Sequence, residues 1–225
     1  MVNYYKKPLP VSSIFLYNLS MKKFPVIIPV FPLSGVIYFP ETNLPLNIFE
    51  QRYLDLVNDA YKKDKFMGMV QSRKKAGSVY DVGCLGKISD YQKFKDGRIL
   101  INLTGVSRFK ILKEISNAKL YREFQVEYKN FADDNNNVDS EITADSLMNK
   151  AQIFFKKNGL LLNWKEFDKL DQVQKINTLA MISPVTNEEK QKLLESISLK
   201  NKIETLESII SFYLHETGSN NQTIQ

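Results

Sequence analysis

The sequence predicts an α+β protein in which a β-rich part carrying one inserted helix precedes an α-helical bundle. Between residues 24 and 130, β-branched and aromatic residues form short runs bounded by turn signals, which is typical of strands. From residue 142 to 216, apolar residues recur at the three- and four-residue spacing of helices. A polar, asparagine-rich stretch at 131–141 separates the two patterns, and we expect a linker there.

Within the β-rich part, six runs have the composition of strands. They are Ile27–Phe31, Gly35–Phe39, Phe66–Gln71, Tyr80–Phe94, Arg98–Gly105 and Ser107–Glu114. The pair Asp96-Gly97 predicts a hairpin between the fourth and fifth runs, because Asp-Gly suits the tight turns that join antiparallel strands. One helix interrupts these strands, since the apolar residues from Phe49 to Tyr61 share a single helical face.

The helical part contains four apolar helical faces. They lie within Leu147–Phe155, Leu170–Ala180, Leu193–Ile197 and Ile203–Leu214. Pro184 disfavours helical geometry at Ser183, so the second helix is expected to end there. Thr186 precedes Glu189 by three residues, which is the spacing of a capping box and predicts the start of the third helix.

The two ends of the chain lack such patterns. Residues 1–23 are expected to form a flexible extension and residues 217–225 a frayed tail. Pro8 and Pro10 interrupt the apolar part of the extension, which disfavours a secretory signal, and Met21 is an alternative start of translation. No run reaches the roughly 18 apolar residues of a membrane helix, so no membrane association is expected.

The composition excludes several kinds of catalytic site. A single cysteine, Cys84, and a single histidine, His215, cannot build a zinc site from several thiols or imidazoles. The segment Gly83–Ile88 is too short for a phosphate-binding loop, and no glycine-flanked serine forms a nucleophile elbow. The sequence therefore predicts no catalytic, cofactor-binding or metal-binding residues, with a hydrolase of unrecognised site as an alternative.

The net charge of +6 comes mainly from lysine, since only five of the 31 basic residues are arginine. Arginine is the residue that most often reads nucleic acids, so the excess of lysine favours a solvated surface. A basic patch that binds RNA is the alternative. The densest basic cluster comprises Lys62, Lys63, Lys65, Arg73, Lys74 and Lys75, with Asp59 and Asp64 among them.

Four segments, in order, carry a family resemblance. They are Ile28–Val36 with Phe39-Pro40, then Leu44–Tyr53, Val82–Ile88 and Asp96–Phe109. The string Leu44-Pro45-Leu46-Asn47-Ile48-Phe49-Glu50-Gln51-Arg52-Tyr53 is the most specific of them. Together they resemble the N-terminal substrate-binding domain of Lon-type ATP-dependent proteases, from about residue 26 to 214.

The resemblance implies a PUA-like β pseudo-barrel followed by a helical bundle. The sequence contains no ATPase or serine-lysine protease module, so it implies a free-standing, non-catalytic Lon-domain protein in the cytoplasm. Its expected partners are unfolded or hydrophobic polypeptide segments, together with a protease or chaperone that it would serve as an adaptor or holdase. RNA binding is the alternative, because PUA-like barrels in other proteins bind RNA.

The residue types of these segments suggest two roles, a peptide groove and maintenance of the fold. The candidate groove for an extended apolar peptide contains Phe31, Leu33, Tyr53 and Phe109. The residues expected to maintain turns, packing and charge pairing are Pro32, Gly35, Pro40, Ile48, Phe49, Glu50, Arg52, Gly105 and Arg108. Within the second set, Ile48 and Phe49 are expected to lead the chain into the core, and Glu50 to pair with Arg52 or Arg108.

Overall fold

The computed structural model describes residues 24–75, 77–131 and 143–219, with side chains as far as His215. The predictions for the N-terminal extension, the start at Met21, most of the linker and residues 220–225 lie outside the described residues.

The β-rich part closes on itself. Its strands are β1 (Ile27–Leu33), β2 (Asn43–Ile48), β3 (Phe66–Gln71), β4 (Val82–Lys93), β5 (Ile99–Ile115) and β6 (Arg122–Glu127). The strand order is β2-β5-β4-β3-β1-β6, and β6 also pairs with β5. Only the β1–β3 pair is parallel among these strands. Because β6 joins both β1 and β5, the sheet forms the expected pseudo-barrel, and β2 extends it along the first half of β5.

One apolar cluster fills the barrel, and a second lies under the inserted helix α1 (Gln51–Lys62). The barrel interior contains Ile28, Val30, Val70, Leu85, Phe109, Phe124 and Val126. The second cluster joins Leu56 and Val57 of α1 to strand residues such as Ile101 and Leu103. The predicted inserted helix is confirmed, and it covers one face of the extended sheet.

The second part is helical, as the apolar spacing predicts. Its helices are α2 (Asp145–Lys157), α3 (Trp164–Phe167), α4 (Gln172–Ile182), α5 (Asn187–Glu195) and α6 (Leu199–Ser219). Helix α4 ends directly before Ser183, and Thr186 and Glu189 form the predicted capping box at the start of α5. Helix α6 continues past residue 216 to Ser219, a difference comparable to the usual uncertainty of helix ends.

The two parts share a buried seam. Ile37 and Phe39, from the segment between β1 and β2, belong to the hydrophobic cluster of the helical part. Asn177 of α4 donates through Nδ2 to the Pro40 carbonyl at 2.9 Å, and Nζ of the buried Lys202 donates to Oδ1 of Asn177 at 2.7 Å. The segment around Phe39 therefore joins the barrel to the bundle.

Three local predictions differ from the structure. Gly35–Phe39 is not a strand, and its Ile37 and Phe39 side chains pack in the helical part instead of in a sheet. Strand β2 lies outside the predicted runs, and it contains Pro45, which cannot donate to a ladder. Ile197 is exposed beyond the end of α5 and does not continue its apolar face.

Candidate functional site

Two of the four predicted groove residues meet. The rings of Phe31 in β1 and Tyr53 in α1 lie with their centroids 4.0 Å apart. The guanidinium of Arg52 lies 4.5 Å above the Tyr53 ring, and Leu33 packs against the same cluster while remaining half-buried. Phe31 and Tyr53 are only 7% and 8% exposed. They support the surface from beneath and offer little area to a ligand.

Phe109 does not lie at the surface, where the sequence predicted it. Its side chain is 0% exposed and fills the barrel interior. A Cβ atom added at Gly68 would lie 2.9 Å from Cζ of Phe109, so this glycine leaves the room that the ring occupies. Phe109 therefore cannot share a surface groove with Phe31 and Tyr53, because it lies inside the closed barrel.

Phe49 was predicted to be buried and is exposed instead. Ile48, the last residue of β2, is buried as expected, but Phe49 is 67% exposed. Successive side chains of an extended chain point to opposite sides, so an inward Ile48 turns Phe49 outward. The sequence predicts that the Phe49 ring lies in the core, but the structure exposes this ring to solvent.

The charged motif residues divide into a surface pair and a buried cation. Glu50 pairs with Arg52 at 2.8 Å, and both side chains are about half exposed, so the pair stabilises the fold by less than about 1 kcal/mol. Arg108 is instead buried, and its Nη1 atom donates to the Leu194 and Ser196 carbonyls at the end of α5. Its guanidinium also lies 4.4 Å from the centre of the Phe131 ring.

The remaining motif residues shape the chain where the two parts meet. Gly35 adopts a φ of 88°, which favours glycine in a turn. A Cβ atom at Gly105 would overlap the carbonyl oxygen of Phe39, so glycine lets β5 approach the segment that carries Phe39 and Pro40. Pro32 lies in β1 beside β3, in register with Val70. The contacts of Gly105 and the backbone conformation of Gly35 are those of residues that shape the chain.

An apolar rim lies at the outer strand of the extended sheet. We define the β2 rim as Leu44, Leu46, Phe49 and Leu54. The three leucines pack against the cluster under α1 but remain partly exposed, and Phe49 sits where β2 leads into α1. The partly exposed leucines, together with the exposed ring of Phe49 at the end of β2, offer apolar area of the kind that interfaces use.

A second, polar concavity lies between α1 and the connection from β5 to β6. It has a volume of about 580 Å³ and includes Asp59, Lys119, Leu120 and Tyr121 in its lining. Two hydrogen bonds involve its lining: Tyr121 Oη donates to Asp59 Oδ2 at 2.7 Å, and Lys119 Nζ donates to Glu123 Oε1 at 2.8 Å. Lys62 and Lys93 also line the cleft, so it carries both acidic and basic side chains.

Strand β3 divides the basic cluster that the sequence singled out. Lys62, Lys63 and Lys65 precede this strand, whereas Arg73, Lys74 and Lys75 follow it. Six residues of strand span roughly 20 Å, so the two groups lie at opposite ends. Lys74 is further engaged with Glu188 at 3.2 Å. The arrangement provides no focused stripe of the kind that steers a polyanion.

The described residues contain no candidate metal centre. Among residues 24–75, 77–131 and 143–219, no three histidine, cysteine, aspartate or glutamate side chains lie close enough to hold a metal ion. Within the same ranges, no helix is long and apolar enough to cross a membrane. Cys84 is a buried thiol in β4.

The family profile of the ATP-dependent protease La (LON) substrate-binding domain matches residues 27–211. The chain belongs to this family. Its relatives include the Lon protease of Syntrophus aciditrophicus, which is 27% identical over 236 aligned residues, covering 96% of this chain and 29% of that protein. A second relative, the Lon protease of Anaeromyxobacter dehalogenans, is 24% identical over 83% of this chain and 23% of its own length. The chain thus spans less than a third of these relatives.

A solved structure shares the fold. The Lon N-terminal domain protein from Xanthomonas campestris superposes with a TM-score of 0.59 at 20% identity, covering 80% of this chain and 96% of its own. A Lon domain with a closed sheet and a helical bundle is therefore established for this chain. Sequence reasoning missed the exposed Phe49 and the outer strand β2, although the alternation of Leu44, Leu46 and Ile48 is a signal for that strand.

Proposed function

We propose that this Lon substrate-binding domain recognises exposed apolar segments of unfolded polypeptides at the β2 rim. The observation that supports this site is the 67% exposure of Phe49, directly after an outer strand whose leucines are only partly buried. Contiguous exposed apolar surface rimmed by polar residues marks interaction sites in proteins. Family membership supports polypeptides as the substrate class. The rim is apolar, which suits the apolar segments that unfolded polypeptides expose.

The expected affinity is modest. Burying apolar surface contributes about 25 cal/mol per Å², so covering one large side chain contributes roughly 1.5–3 kcal/mol. Ordering a flexible peptide opposes this gain, and a rim of only four apolar side chains leaves a small surplus. Binding in the micromolar range with little dependence on client sequence follows from these opposing contributions.

An adaptor or holdase role is consistent with weak binding of apolar segments. The chain would act without catalysis of its own, as an adaptor or holdase that presents clients to a protease or chaperone in the cytoplasm. Its curated relatives are named Lon proteases, which supports a place in proteolysis. The polar cleft beside Asp59 does not favour a hydrolase, because Asp59 and Lys119 are engaged with neighbouring side chains.

Calorimetric titration with carboxymethylated α-lactalbumin, a permanently unfolded client, tests the proposal. We expect micromolar binding with a negative heat-capacity change. Replacing Phe49 with serine should weaken binding about tenfold, which is typical of truncating an aromatic contact. The matched control is Phe212→Ser, because Phe212 is 55% exposed but lies on α6 in the helical part.

Two outcomes would contradict the proposal. One is the absence of binding heat with several unfolded clients. The other is an equal loss of affinity in Phe49→Ser and Phe212→Ser, which would place the contact elsewhere. A salt titration in the same experiment separates RNA binding, which weakens steeply with salt through counterion release, from apolar peptide binding, which does not.

A further inference from the structure

The backbone of β2 is hydrogen-bonded on one side. The Gly105 N–H donates to the Thr42 carbonyl at 2.9 Å, immediately before the register that runs from Asn43 opposite Thr104 to Ile48 opposite Ile99. In an antiparallel ladder, alternate residues direct their backbone groups toward the partner strand. Counting from Thr42, residues Leu44, Leu46 and Ile48 face β5, while the residues between them face outward.

Asn43, Pro45 and Asn47 therefore form the outer edge. All three side chains are exposed, and among the described strands β2 pairs only with β5. The edge presents amide donors at Asn43 and Asn47 and carbonyl acceptors at all three residues. Pro45 occupies an outward position, where its missing N–H removes no bond from the ladder with β5.

We propose that an extended segment of the client binds by adding a strand to this outer edge of β2. This inference rests on the proposed function and specifies the form in which the client is held. Backbone pairing with Asn43 and Asn47 would give affinity without sequence dependence. Every second client side chain would then stand beside Leu44 and Leu46, at the spacing of neighbouring strands. The domain would favour clients that are apolar at alternate positions.

The edge suits a client better than a second copy of this chain. In a pair of copies joined through β2, each edge would contain a proline that lacks an N–H donor. A client segment without proline adds no such gap. The ladder with a client therefore retains at least one more hydrogen bond. Proline on an edge strand also limits the pairing of identical edges, which is one way in which proteins suppress self-association.

Amide hydrogen exchange of the full chain, measured by NMR, tests strand addition. The probe is a soluble synthetic peptide with valine at every second position, serine and threonine between them, and a lysine at each end. At about nine-tenths saturation, the exchange of the Asn43 and Asn47 amides should slow roughly tenfold, because these amides exchange only in the free state. The Leu44, Leu46 and Ile48 amides, already bonded to β5, should change little.

A backbone variant provides an independent measurement. Pro45→Val supplies an amide at the outward position, and one added hydrogen bond should tighten peptide binding roughly threefold to tenfold. If the peptide binds with unchanged exchange at Asn43 and Asn47, strand addition is overturned while the proposed function stands. Unchanged affinity in Pro45→Val also counts against strand addition. Loss of peptide binding in Phe49→Ser but not in Phe212→Ser supports the rim separately from the pairing.

Discussion

Arg108 in β5 donates through Nη1 to the Leu194 carbonyl of α5 at 2.7 Å, although 86 residues separate them along the chain. The same atom donates to Ser196, so one buried guanidinium satisfies two carbonyls at the end of a helix. Cations near a helix C-terminus also interact favourably with the helix dipole. This contact links the barrel to the bundle and predicts how strongly the two parts depend on each other.

Replacing Arg108 with methionine should lower the free energy of unfolding by about 2–4 kcal/mol, because two carbonyls lose their donor and the Phe131 ring loses its cation. Urea denaturation measures this change. Arg98→Met is the matched control: Arg98 pairs with Asp96 through half-exposed side chains, and its loss should affect stability far less than the loss of Arg108. Similar effects of the two substitutions would contradict a special role for Arg108.

Replacing Gly105 with alanine should destabilise the protein by more than about 3 kcal/mol, since the new Cβ atom would overlap backbone atoms of Phe39 and Pro40 that cannot rotate away. Gly35→Ala is the comparison, because Gly35 has open space around it and only its φ of 88° opposes a side chain. That substitution should lower stability by about 1 kcal/mol. Thermal unfolding distinguishes the two, and the prediction is wrong if Gly35→Ala is the more damaging.

Replacing Asn177 with leucine should lower stability by about 2–4 kcal/mol, because it removes one acceptor of the buried Lys202 ammonium and the donor to Pro40. Combining it with Lys202→Met should restore part of the loss, since the buried charge is then absent. A double-mutant cycle by urea denaturation gives the coupling. Additive effects of the two substitutions would show that the two side chains act independently.

Glu207 makes stability depend on acid pH. Hydrogen bonds from Lys150 and then Ser146 hold the pKa of its carboxyl below the ordinary value. A carboxyl with a lowered folded-state pKa stabilises the fold above the unfolded pKa, about 4.3, and loses that contribution as pH falls through the folded pKa.

Glu207→Gln should therefore reduce stability by roughly 0.5–1 kcal/mol at neutral pH, and the difference from the unsubstituted protein should shrink below about pH 4. Urea titrations at both pH values measure it. Glu204→Gln, an exposed position of the same helix, serves as the control and should remain within about 0.5 kcal/mol throughout. A constant difference for Glu207→Gln across the pH range would contradict the assignment.

Local signals in the sequence predicted many of the elements. The Asp96-Gly97 pair does connect β4 to β5, with Gly97 at a φ of 92°, and Thr186 does cap α5. These features depend on residues a few positions apart, so the chain encodes them where they occur. The candidate site was less predictable, because the exposure of an apolar residue depends on which distant segment covers it.

Phe109 and Phe49 show that difference. Both are aromatic residues of the motif segments, yet closure of β6 onto β5 encloses Phe109 and the start of α1 leaves Phe49 outside. By itself, the sequence determined the β-then-α order, the inserted helix and the resemblance to the Lon substrate-binding family. Only the tertiary structure decided that β2 is an open edge beside an apolar rim, because pairing between distant strands sets which backbone and side-chain groups remain accessible.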